Sequence, residues 1–159
     1  EPSASVPLPI LLREAVLQRL PEFEERLQRH FADVGANGRE VLIQVQVALD
    51  APGITDGLET EIPFKARNSE RTTLSSVIQE IVADSAVRGA VEVGTATSTM
   101  FNETVRIPLF GANGRPLTMR QWFDNSVVRR LRAEGVSVRI VSQQLGRIVF
   151  AVREVRAAP

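Results

Sequence analysis

The chain has 159 residues, 43% hydrophobic and 24% charged, which is enough apolar material for a packed core and argues against disorder throughout. With no cysteine and one histidine, it excludes a disulfide scaffold, a thiolate zinc site, an iron–sulfur cluster, a cysteine nucleophile and a histidine-rich metal centre. The 19 basic and 19 acidic side chains cancel, so no net charge draws the whole chain to nucleic acid or anionic lipid.

The first residue is Glu1 rather than Met, as in a processed or excised piece. Residues 1–9, rich in Pro and Ser, are expected to form a flexible linker. Residues 10–155 are expected to form a single α+β domain, and residues 156–159 a frayed tail. No apolar run approaches the roughly 18 residues of a membrane span.

From Ile10 to Phe31, Leu12, Val16, Leu20, Phe23, Leu27 and Phe31 recur every three or four positions, the signature of one face of an amphipathic helix. Pro21 removes a backbone donor and predicts a kink or two abutting helices. Gly35-Ala36-Asn37-Gly38 is expected to end this helix. The alternating, β-branched run Val41–Leu49 is the clearest strand. Leu58 to Ala66 reads as a second strand, with Pro63 placing it at an edge or bulge, and antiparallel pairing of these two strands is the economical expectation.

Thr72 or Thr73 can cap a helix that buries Leu74, Val77, Ile78, Ile81 and Val82 and stops near Gly89. Strands are expected at Ala90–Gly94 and Thr104–Phe110. A last helix over Leu117–Glu134 would turn Met119, Trp122, Phe123, Val127 and Leu131 inward. Val136–Ser142 and Ile148–Val155 close the chain as a hairpin joined across Gln143–Arg147. The expected order is α–β–β–α–β–β–α–β–β, with the helices on one face of a mainly antiparallel sheet. Gly-Ala-Asn-Gly-Arg occurs at Gly35–Arg39 and again at Gly111–Arg115. It connects helix to strand in the first copy and strand to helix in the second, which is shared turn chemistry rather than duplication.

Candidate chemistry is sparse. His30 has no second histidine and no carboxylate pair at ligand spacing, so it reads as a structural side chain near the end of the first helix. Asp50, Asp56, Glu59 and Glu61 gather in and after a glycine-containing loop without the calcium-loop spacing, and a solvated loop is the expected role. Ser75, Ser76, Ser98 and Ser126 lie in no nucleophile elbow, and there is no phosphate loop or dinucleotide fingerprint. No catalytic residue, cofactor or metal is therefore expected.

Charge is unevenly distributed: residues 1–102 carry 9 basic and 15 acidic side chains, residues 103–159 carry 10 and 4. Arg120, Arg129, Arg130 and Arg132 on the last helix, with Arg139 and Arg147 on the last hairpin, form a candidate surface for a protein partner or for phosphates.

Leu58 to Val155 resembles the small periplasmic N-terminal domains of secretins and the short N-terminal domain of TonB-dependent receptors. Ile62-Pro63-Phe64-Lys65-Ala66 stands as that family's first strand, and Leu74, Ile78 and Val82 as its first helix. Val91-Glu92-Val93 and Val105–Leu109 follow as strands, and Leu117, Trp122, Val127 and Leu131 as the second helix. Gly135–Arg139 and Gly146–Phe150 take the places of its closing strands, with Val136 and Val138 where Leu and Tyr are usual. The resemblance implies a non-catalytic module of the periplasm or cell envelope that docks partners or builds rings. The resulting expectation is a non-enzymatic protein–protein interaction or self-association module. The alternatives are a nucleic-acid-binding domain using the Arg-rich C-terminal half, and a small enzyme with an unrecognised site.

Overall fold

The structure, a computed structural model, describes residues 8–87 and 89–156. Most of the expected linker and tail therefore lies outside the described residues, although Leu8 and Pro9 already belong to the first helix. By its contacts the chain divides into two units, Glu1–Ala36 and Asn37–Pro159, a boundary that lies inside the single domain expected over residues 10–155.

The described part of the first unit is helical throughout, and its helix α1 runs Leu8–Asn37, one residue past the boundary. It continues through Pro21 as one helix rather than as two abutting helices. Proline costs this helix one backbone bond, and side-chain pairs on either side reinforce it: Glu22 meets Arg19 at 3.1 Å and Arg26 at 2.6 Å. His30, expected at the helix end, is followed by about two more turns. The chain leaves the helix at Gly38, whose φ of 77° ordinary side chains resist.

The second unit is built on strand β1 (Arg39–Val47), the run that reads most plainly as a strand. It lies at the centre of a five-stranded sheet of order β4-β5-β1-β7-β6. The other members are β4 (Ala90–Ala96), β5 (Met100–Ile107), β6 (Val136–Gln144) and β7 (Arg147–Val155). β1 runs antiparallel to β5 and parallel to β7, and the remaining pairs are antiparallel.

The expected pairing of the first two strands does not form. Glu61–Phe64 (β2) instead pairs with Glu70–Thr73 (β3) as a separate two-stranded sheet. Four residues that include Pro63 make too short a ladder to satisfy a nine-residue central strand, whereas β5 and β7 match its length. β3 is an additional strand, in a stretch where the sequence pattern predicted only a helix cap at Thr72 or Thr73. The fourth and fifth sheet strands also extend towards each other, closing on the turn 97–99.

Helix α2 (Leu74–Ser85) starts where Thr73 accepts the Ser76 amide at 3.3 Å, and it buries the five apolar residues read from its pattern. The last helix has three consecutive parts: α3 (Met119–Trp122), a π-helical stretch Phe123–Val128, and α4 (Arg129–Ala133). Thr118 and Gln121 form a capping box at its start. Met119, Trp122, Phe123, Val127 and Leu131 are buried, as their spacing predicts. The Phe123 ring lies 4.9 Å from that of Phe150 in β7, and the Trp122 indole donates to the Ser85 carbonyl at 2.9 Å.

Val41, Ile43, Val45 and Val47 of β1 share one core with these helical residues and with Phe101, Val105, Ile148, Phe150 and Val152. The fold of the chain is therefore α+β, and in the second unit α2 and the last helix lie over one face of a mainly antiparallel sheet. The closing hairpin turns at Leu145-Gly146, tighter than its pattern suggested, with Gly146 at a φ of 75°.

Candidate functional site

The six arginines singled out in the sequence fall on two sides of the sheet. Arg120, Arg129, Arg130 and Arg132 ride on the last helix, over the core face. Arg147 is opposite Leu42, and Arg139 opposite Ala151, so both project from the other face. Arg120 is held by Asp124 at 2.6 Å and Arg130 by Asp84 at 2.9 Å, while Arg147 donates to the side-chain oxygen of Gln44. Gln44 is nearly buried on that second face and also donates to Met100 Sδ at 2.7 Å. Arg129, Arg132 and Arg139 are exposed. Pairing and the sheet thus divide the basic half of the chain into separate patches.

Among the described residues, eight of the large apolar side chains left exposed lie on α1. Ile10, Leu12, Val16, Leu17, Leu20, Phe23, Leu27 and Phe31 are each between 37% and 67% exposed. The ion pairs of Glu22 with Arg19 and Arg26, and of Arg29 with Glu25, hold the polar remainder of the helix surface. A monomeric protein rarely leaves a contiguous apolar patch beyond a few hundred Å² in water, which makes this stripe of eight large side chains a candidate site. Among the described residues no helix is long and apolar enough to cross a membrane.

Within the second unit an open groove of about 860 Å³ lies between the strand ends, lined by Arg39, Leu109, Phe110, Leu117, Gln144 and Leu145. Arg39 reaches across it to donate to the Leu117 carbonyl at 3.2 Å. Phe110 and Leu145 stand exposed at its rim.

The carboxylate loop offers no metal centre: Asp50, Asp56, Glu59 and Glu61 are exposed, and Glu61 pairs with Arg71 across the β2–β3 hairpin at 3.3 Å. Among the described residues, no three His, Asp or Glu side chains converge on a point where an ion could sit. His30 is exposed on α1, its ring 5.9 Å from that of Phe31.

One group escaped the sequence reading. Glu103 is 1% exposed, and its register partner across β5–β1 is Ile43, so its side chain belongs to the apolar core face. Its Oε2 has no hydrogen-bond partner. Burial disfavours the charged form and raises its pKa from 4.5 to about 7. The signal was present: Val105 and Ile107 mark the inward face of the strand, and extending the alternation back places Phe101 and Glu103 inside as well.

No curated protein and no solved structure matches the chain. A family match covers residues 39–153, beginning with β1 and ending in β7, so it spans the second unit and leaves α1 outside. Since that match takes in most of the sequence, the chain belongs to the family described as Domain of unknown function (DUF6175).

Proposed function

We propose that this protein is a non-enzymatic interaction and assembly module. A single observation carries the reading: α1 presents eight large apolar side chains to solvent, while the second unit closes around its own core. Water penalises that stripe by roughly 25 cal/mol for each Å² left exposed, and covering it with another protein surface removes the penalty. The resemblance of Leu58–Val155 to secretin and TonB-receptor N-terminal domains supports a place in a cell-envelope or secretion-type complex. The division of the arginines between two faces gives the nucleic-acid alternative less support.

Size-exclusion chromatography with light scattering, at low and high salt, tests the proposal on the full chain and on Val16→Asp/Leu27→Asp. The expected result is a mass above the monomer, or a stable complex with a defined partner, that the variant loses. A strict monomer at high concentration, with no partner engaging α1, overturns it.

A further inference from the structure

The α1 stripe has an internal spacing that specifies its occupant. Val16, Leu20, Phe23 and Leu27 follow one another at intervals of four, three and four, and His30 and Val34 continue the series. This is the a/d pattern of a coiled coil, with Arg13, Leu20, Leu27 and Val34 at a and Val16, Phe23 and His30 at d, and the seam is apolar from Val16 to Leu27. Ile10, Leu17, Glu24 and Phe31 then take the e positions, and Leu12, Arg19, Arg26 and Asp33 the g positions. Pro21 falls at b, away from the a and d positions, so its ring takes no place in the seam.

Flanking charges distinguish the two ways a second copy could lie on this seam. In a parallel pair each g residue faces the e residue five positions on in the other helix. That sets Leu12 against Leu17 of the second copy, Arg19 against its Glu24, and Arg26 against its Phe31. These are an apolar contact, an ion pair and a cation over a ring, each made twice by symmetry. In an antiparallel pair with Leu20 against Phe23, g faces g and e faces e. Arg19 then meets Arg26, and Leu17 meets Glu24, so like charges oppose and a carboxylate is set against an apolar side chain.

The area also fits. Eight side chains exposed to this degree offer roughly 100 Å² each, comparable with the ~800 Å² per partner of a standard interface. We infer that α1 is a parallel homodimerisation helix, its seam Val16, Leu20, Phe23 and Leu27 closed by a second copy of this chain and its orientation set by Arg19 against Glu24. This rests on the proposed assembly role and names the partner for it. The seam stops before residues 39–153, so it lies outside the part of the chain that the family match covers.

The chain has no cysteine, so one introduced thiol reports its own neighbourhood. Arg13→Cys occupies an exposed a position near the helix start and, on mild oxidation, is expected to give a disulfide-linked dimer of the full chain. An antiparallel pair would separate the two thiols by roughly 25 Å, at 1.5 Å of rise per residue. Sedimentation equilibrium on the cysteine-free chain is expected to show a dimer, and Leu20→Asp/Phe23→Asp a monomer with an unchanged near-ultraviolet spectrum from Trp122 in the second unit. Arg19→Glu and Glu24→Arg are each expected to weaken the dimer by about fivefold or more, and the double exchange to restore it.

A dimer that survives Leu20→Asp/Phe23→Asp overturns this inference and leaves the assembly role standing on another surface. Failure of Arg13→Cys to cross-link in a dimer that depends on the stripe refutes the parallel arrangement. A monomer that binds a different protein through the stripe refutes self-association alone, whereas a monomer whose stripe engages nothing removes both readings.

Discussion

Replacing Glu103 by Gln keeps the shape of the side chain and removes its titration, which isolates the energetic consequence of burying a carboxyl group under the helices. In the folded chain the group releases its proton near pH 7, and in the unfolded chain near 4.5. Between those values the folded state holds one proton more than the unfolded state, so stability falls as pH rises, by 1.36 kcal/mol per unit. The contribution is complete below pH 4.5 and has gone above about pH 7. Over that window the loss amounts to about 3 kcal/mol, a sizeable share of the 5–15 kcal/mol that holds a typical domain together. Glu103→Gln is expected to match the natural chain near pH 4.5 and to exceed it by about 3 kcal/mol at pH 8. Urea unfolding of both proteins at half-unit intervals, followed by Trp122 fluorescence, measures the difference directly. A difference that stays flat across the window, or that shrinks as pH rises, would show that the carboxylate is stabilised by something other than its apolar surroundings.

Two further perturbations test the packing. Phe123 is fully buried against Phe150, and Phe123→Ala is expected to cost about 3–5 kcal/mol in a urea melt, while Arg132→Ala on the outer side of the same helix costs less than about 0.5 kcal/mol. The reverse ranking would mean that the helix is rotated. Gly53 and Gly114 both adopt positive φ, but a Cβ at Gly53 would overlap the Val155 carbonyl, whereas one at Gly114 meets open space. Gly114→Ala should therefore cost about 1 kcal/mol from its backbone alone, and Gly53→Ala clearly more, as read from the shift in the melt midpoint.

Local periodicity determined the elements of this protein. The three-and-four spacing of Leu74, Val77, Ile78, Ile81 and Val82, and of Met119, Trp122, Phe123, Val127 and Leu131, specified two helices and the side each buries. The alternation in Val41–Leu49 specified the strand that became the centre of the sheet. Partners were another matter. A strand pattern records which face is apolar but not which neighbour takes its amides, so β1 joined β5 and the distant β7 rather than the nearer β2. The alternation of β5 already assigns Glu103 to the inward face, and tertiary structure decided that this face is covered, which a carboxylate tolerates only when the register of its strand gives it no other side. The six arginines were legible as a charged half of the chain, yet the sheet separates them, since sequence proximity does not say which side of a strand a side chain leaves. Among the described residues, α1 carries an apolar stripe whose three-and-four spacing is legible in the sequence, while the exposure of its side chains is read only from the structure.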